Sequence, residues 1–154
     1  MLFRSEPTEQ ENPVGIEGMA FLEYTSPKPQ ALRDLFRRMG FTRSAKHKTS
    51  KVDYFEQNEC VFLVNEEPGS FADRFQKLHG PSACSMGWKV KNAQKAYEIA
   101  VSRGARPFEG EGTVPFPAVY GIGDSLIYFV DNRSEEHTSE LQSHHDLVCR
   151  LLLE

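Results

Sequence analysis

Met19-Ala-Phe-Leu-Glu-Tyr24 and Ser85-Met-Gly-Trp-Lys-Val90 decide the fold, because each opens the same succession of elements. The first stretch carries apolar groups on both faces, the pattern of a central strand. Thr25-Ser26-Pro27 then signals a helix start. Leu32, Leu35, Phe36 and Met39 follow at helical spacing and define one apolar face. Gly40 closes that helix as a left-handed cap. Three strands are expected next, over Phe41 to His47, Lys51 to Gln57 and Cys60 to Asn65, with Asn58-Glu59 as the turn of the last hairpin.

The pattern recurs after Ser85. Asn92 caps a helix with Ala93, Ala96, Tyr97 and Ala100 on one face, and Gly104 ends it. Strands are expected at Arg106 to Phe108, Ala118 to Gly121 and Ser125 to Val130. Met19-Ala20-Phe21 corresponds to Met86-Gly87-Trp88, and Gly40 to Gly104. The chain thus holds β-α-β-β-β twice, in modules of about residues 15–67 and 82–131. A linking helix, Ser70 to His79, turns Phe71, Phe75 and Leu78 inward and is stopped by Gly80-Pro81. The expected fold is α+β: two modules curl one mixed sheet into a cup, with helices on the outer face. A ligand or metal would sit in the concavity.

Composition narrows the function. Lys and Arg number 18 against 22 Asp and Glu, a net charge of -4, and no basic cluster stands out. Nucleic acid and anionic membrane are therefore not expected partners. No apolar run reaches membrane-spanning length, and Met1-Leu-Phe-Arg-Ser-Glu-Pro7 lacks a signal-peptide core. Cys60 and Cys84 sit in apolar contexts without a Cys-x-x-Cys pair, which reads as buried thiols in a reduced, cytoplasmic protein. Residues 1–13, polar and acidic, read as a flexible leader.

The end of the chain reads differently. Arg133-Ser-Glu-Glu-His-Thr-Ser-Glu-Leu-Gln-Ser143 resembles a translated sequencing-library adapter. His137, His144, His145 and Cys149 all fall in 133–154 and are set aside with it as an adapter-derived artefact, disordered or forming a non-native helix. The biological alternative is a solvated C-terminal helix ending in Leu151-Leu-Leu153.

Within residues 12–131, four stretches carry a family resemblance: Asn12-Pro-Val-Gly-Ile-Glu-Gly18, Leu63-Val-Asn-Glu-Glu-Pro68, His79-Gly-Pro-Ser-Ala-Cys-Ser-Met86 and Pro117-Ala-Val-Tyr-Gly-Ile-Gly-Asp-Ser-Leu-Ile-Tyr-Phe-Val-Asp131. In order and spacing they resemble the N-terminal domain of bacterial 4-hydroxyphenylpyruvate dioxygenase, in the vicinal oxygen chelate (glyoxalase/bleomycin resistance) superfamily. The resemblance implies a paired β-α-β-β-β fold. For the full-length family it implies tyrosine catabolism, oxidation of 4-hydroxyphenylpyruvate to homogentisate with Fe(II) and dioxygen, and a homo-oligomer. It also implies that the iron ligands belong to a C-terminal domain, so no catalytic, cofactor-binding or metal residue carries over to this chain.

The residues themselves agree with an empty assignment. The first strands of the two modules contain no His, and Glu23 is their only carboxylate. Glu56 can face the same way, but two carboxylates without His make a poor Fe(II) site. Both read as solvated or hydrogen-bonded groups. His47, between Lys46 and Lys48, reads as a surface residue, and His79 as a helix-terminal residue bonding the last carbonyls. Cys84 reads as a small core group, Gly121-Ile-Gly123 as a turn, and Phe21, Trp88 and Tyr97 as core. The leading expectation is a non-catalytic scaffold and oligomerisation half of a dioxygenase-like enzyme whose partner is the C-terminal domain. The alternative is a stand-alone, metal-free protein that binds a small aromatic molecule in the cup. A metal-dependent glyoxalase-like enzyme is disfavoured by the missing His.

Overall fold

The computed structural model describes residues 11–132. The elements run β1 (Ile16–Thr25), α1 (Pro29–Arg38), β2 (Thr42–Lys46), β3 (Val52–Gln57), β4 (Cys60–Asn65), α2 (Phe71–His79), β5 (Ser82–Val90), α3 (Ala93–Ser102), β6 (Pro107–Phe108), β7 (Ala118–Tyr120) and β8 (Leu126–Val130). A single 3-10 turn, Ile122–Asp124, precedes β8, with Gly123 in the left-handed region at φ 64°.

All eight strands form one mixed sheet in the order β2-β3-β4-β1-β5-β8-β7-β6. Its centre is the antiparallel β1–β5 pair, and β4 and β8 flank that pair in parallel on either side. The order is symmetric about the centre, so each module supplies one half. This is the paired arrangement expected from the repeat.

The two module helices end alike. Gly40 N–H bonds the Arg37 carbonyl and Phe41 N–H that of Phe36; Gly104 N–H bonds Val101 and Ala105 N–H bonds Ala100. Both are Schellman closures, which need a residue at positive φ after the helix. Gly40 and Gly104 supply it at φ 94° and 101°. The N-termini differ. α1 opens on Pro29, whose missing N–H costs nothing there. α3 is held by Asn92 Oδ1, which accepts from Lys95 N–H, and by Asp131 Oδ2 just after β8, which accepts from Ala93 N–H at 2.6 Å.

Four apolar clusters pack against the sheet. The inner cluster holds Phe21, Tyr54, Leu63, Leu126, Tyr128 and Val130. On the outer face, Phe36 of α1 packs on Phe41, Phe55 and Val64, with Tyr24 and Phe62 at its edge. Under α3, Ala93 and Ala96 let the helix approach Val90, Val119 and Phe129 closely. The linking helix α2 instead closes one end of β1–β5. Ala72 and Phe75 cluster with Cys84, and Phe71 reaches the inner cluster.

Some expected inward residues point out. Leu35 and Met39 are 49% and 52% exposed and Leu78 is 82% exposed, while Ala72 is fully buried in its place. Cys60 is exposed beside the hairpin turn, against the expectation of a buried thiol. The expected leader 1–13 falls mainly outside the described residues. Asn12, at its end, is tied to Ile16 by two hydrogen bonds. The adapter-like stretch 133–154 also lies outside the described residues.

Candidate functional site in the cup

The inner face of the central strand pair carries a carboxylate with no exposure to solvent. Glu23 on β1 lies level with Ser85 on β5. Register shifts follow Met19 and Glu23 along this pair. Such bulges turn neighbouring side chains toward one face. Ala20 and Phe21 accordingly both join the inner cluster.

Uncharged groups satisfy the carboxylate. Ser85 Oγ donates to Oε1 at 2.6 Å. Asn65 Nδ2, at the end of β4, donates to Oε2 at 2.9 Å, and Thr113 Oγ1 donates to the same oxygen at 2.5 Å. Thr113 comes from the 109–117 loop joining β6 to β7. Its backbone N–H is accepted by the Tyr128 hydroxyl at 3.0 Å, so the loop is pinned to both modules. Cys84 Sγ donates to the Glu23 carbonyl at 3.6 Å. Burial pushes the Tyr128 hydroxyl and the Cys84 thiol above their ordinary pKa values, and the Glu23 charge adds to both shifts.

Above this network the cup opens into a cavity of about 710 Å³, lined among others by Asn65, Thr113, Phe71, Arg74, His47 and Glu111. That volume suits a small molecule. The two donors that hold Glu23, Asn65 and Thr113, form part of its wall.

The sequence-derived candidates fall in different places. Glu23 is hydrogen-bonded as expected, but it is buried rather than solvated. Glu56 shares the alternation of Tyr54 on β3, yet Tyr54 is the residue level with Glu23 through Leu63, so the two carboxylates are not paired across the cup. His47 is half-buried rather than a free surface residue. Its Nδ1 accepts from the Thr49 and Ser50 backbone N–H groups at 3.2 and 3.0 Å and fastens the β2–β3 turn. In neutral imidazole that leaves the proton on Nε2. His79 lies against Phe75 with ring centroids 4.3 Å apart and planes tilted by 35°, and the Gly80 N–H donates to the Gln76 carbonyl at the helix end. Cys84 is fully buried, and Phe21 is 2% exposed. Trp88 and Tyr97 are half-buried on the outer face.

Fe(II) of the dioxygenase type takes two imidazoles and one carboxylate on one face. The Glu23 network offers one carboxylate, hydroxyls and an amide, and the cavity wall above it adds His47 and Glu111 but, among the described residues, no second imidazole. Among the described residues no three His, Cys, Asp or Glu side chains form a metal-holding group. The donor set does not fit that iron.

Thr113, Asn65, Ser85 and Tyr128 were missed as members of the site. Only the β1–β5 register could have pointed to one of them, Ser85. Among the described residues no helix is long and apolar enough to cross a membrane.

The model of a protein family described as "Hydroxyphenylpyruvate dioxygenase, HPPD, N-terminal" matches residues 10–147. The match runs past Asn132 into the adapter-like stretch. Protein MelA of Shewanella colwelliana is 41% identical over 138 residues, covering 87% of this chain and 40% of that protein. A 4-hydroxyphenylpyruvate dioxygenase of Pseudomonas aeruginosa is 42% identical over 129 residues, covering 80% of this chain and 36% of the relative. A solved "xylose isomerase-like TIM barrel/4-hydroxyphenylpyruvate dioxygenase fusion protein" superposes with a TM-score of 0.72 at 30% identity, over 83% of this chain and 22% of that one. The chain therefore spans about 40% or less of the length of these proteins.

Proposed function

Because the chain belongs to the family of hydroxyphenylpyruvate dioxygenase N-terminal domains, we propose that it is the non-catalytic scaffold of a 4-hydroxyphenylpyruvate dioxygenase-like enzyme. In this reading the iron, the 2-oxo acid and dioxygen are handled by the portion of the enzyme that follows this domain. The carrying observation is the cup itself. Its central carboxylate accepts from Ser85, Asn65 and Thr113, and no imidazole among the described residues bonds it. Those contacts tie strands of both modules and the 109–117 loop into one unit, which is a scaffold's task. We place the protein in the cytoplasm and expect the assembled enzyme to be a homo-oligomer, with the C-terminal portion as the direct partner.

The test is dioxygen consumption by the purified chain with Fe(II) and 4-hydroxyphenylpyruvate. No consumption above the protein-free rate is expected; turnover sensitive to Glu23→Gln would overturn the reading. The status of 133–154 is tested separately by sequencing the source DNA through the codon of Asp131. We propose that the native frame departs from Arg133-Ser-Glu-Glu, and an encoded match to the present tail would refute that.

The 710 Å³ cavity favours one second reading, a stand-alone protein that binds a small aromatic molecule without metal. Saturable calorimetric binding of an aromatic acid, abolished by narrowing the wall at Thr113, would support it over the scaffold.

A further inference from the structure

The outer face has a gap in its cover. α1 packs over β3 and β4, α3 over β7, β8 and Val90 at the end of β5, and α2 against the Thr25–Ser82 end of the central pair, leaving the middle of β1–β5 without a helix over it. The in-register pairs Met19–Trp88 and Leu22–Met86 point outward there, with Phe62 level with Leu22 on β4. Met19 is 47% exposed, and the other four are half-buried. The indole N–H of Trp88 is given to Met86 Sδ at 3.2 Å, so its one polar group turns along the stripe. Leu35 and Met39 widen the surface. They are exposed on α1, at 49% and 52%.

We propose that this stripe is the docking surface for the portion of the enzyme that follows β8. The inference rests on the reading of this chain as the N-terminal part of a longer enzyme. Two observations choose that occupant over a second copy. The matched region is 40% of the Shewanella relative, so the larger share of such a protein lies beyond it. The described chain also ends beside the stripe: β8 runs parallel to β5, with Phe129 level with Trp88 and Val130 with Lys89, so β8 finishes at the Met19–Trp88 end. Contiguous apolar surface of this kind is rare on a finished soluble surface and suits a permanent contact rather than a transient one.

Hydroxyl-radical footprinting compares this chain with a chimera in which the remainder of the Pseudomonas aeruginosa dioxygenase follows Asn132. Oxidation of Met19, Met86 and Trp88 falls severalfold in the chimera, while Leu78 and Ile122, 82% and 96% exposed on other elements, stay unchanged. Equal oxidation of the stripe in both proteins overturns the proposal. So does protection already present in the free chain together with a dimer in sedimentation, since a second copy then holds the surface. If the chimera is insoluble, the chain is co-expressed with the tagged remainder. The wild-type chain and Leu78→Glu co-purify with it, and the Met19→Glu/Met86→Glu double variant does not. Failure of the wild type, or retention of the double variant, overturns the proposal. Dioxygen consumption by the free chain reports separately on the non-catalytic reading: activity with a protected stripe in the chimera would sink that reading and leave the surface standing.

Discussion

The two faces of the central strand pair invert the usual order of a sheet. Inside, where apolar groups are expected, Glu23 and Ser85 sit fully enclosed. Outside, where water is expected, Met19, Leu22, Met86 and Trp88 form an apolar stripe. The difference separates two kinds of unfinished surface. The inner one is completed by the chain itself, through Asn65 and the 109–117 loop. The outer one awaits something the described residues do not supply.

The inner face gives the largest expected effect. Glu23→Ala strips the carboxylate from Ser85, Asn65 and Thr113 at once; Ser85 and Asn65 are buried, while Thr113 is half-buried on the cavity wall. Each buried group that loses its partner costs roughly 1–3 kcal/mol, so a loss of about 2 kcal/mol or more is expected. The urea midpoint would read it. Glu23→Gln keeps one acceptor oxygen and turns an amide toward the donors, so it recovers only part of the loss. An unchanged midpoint for the alanine variant would mean that the carboxylate is not the node holding the loop.

Gly87 tests the same face by volume instead of charge. A Cβ there would lie 2.5 Å from Phe21 Cε1, and that ring is held against Tyr128 with centroids 5.8 Å apart. Overpacking of this kind costs about 1–3 kcal/mol, so Gly87→Ala should lower the melting temperature although it adds only a methyl. Its module counterpart, Ala20, already carries that methyl. The pair thus shows that the repeat is not interchangeable residue by residue.

That lesson extends to what the sequence made readable. The repeat, the glycine closures at Gly40 and Gly104, and the Cys60–Asn65 strand were legible because each is local, a spacing or a residue type tied to one backbone need. Leu35, Met39 and Leu78 misled because helical spacing marks an apolar stripe without saying how much of it a sheet covers. α1 buries only Phe36 fully, with Leu32 at its edge. The Glu23 network was illegible for another reason. Its contacts join residues 42, 62 and 90 positions apart, and Thr113 comes from a loop without periodicity. A carboxylate in a strand pattern does not announce that three distant donors enclose it.

Alkaline pH sharpens the contrast with a smaller effect. Burial raises Tyr128, and Tyr24 in lesser surroundings, above the ordinary 10.0. The unfolded chain therefore ionises first: stability from these hydroxyls is present below pH 10.0 and lost as pH climbs through the folded values. The urea midpoint should hold to that point and then fall, less steeply in Tyr128→Phe. The thiols give a companion readout. In the native protein at mildly alkaline pH, alkylation should mark exposed Cys60 and spare Cys84, whose thiolate is disfavoured by burial and by Glu23. Modification of both at equal rates would show that the inner face opens readily.

The smallest effect lies on the outer stripe. Met19→Glu places a charge where a carboxylate on the opposite face of the same strand is indispensable. Met19 is 47% exposed, so the new carboxylate stays hydrated and the folded state loses only partial contact with Trp88. A change within about 0.5 kcal/mol is expected by thermal unfolding. The two glutamates, four residues apart on β1, would then behave oppositely: removing one weakens the cup, while adding the other leaves it intact. A cost for Met19→Glu comparable to that of Glu23→Ala would mean that the stripe is already covered in the free chain, and the inversion of the two faces would be lost.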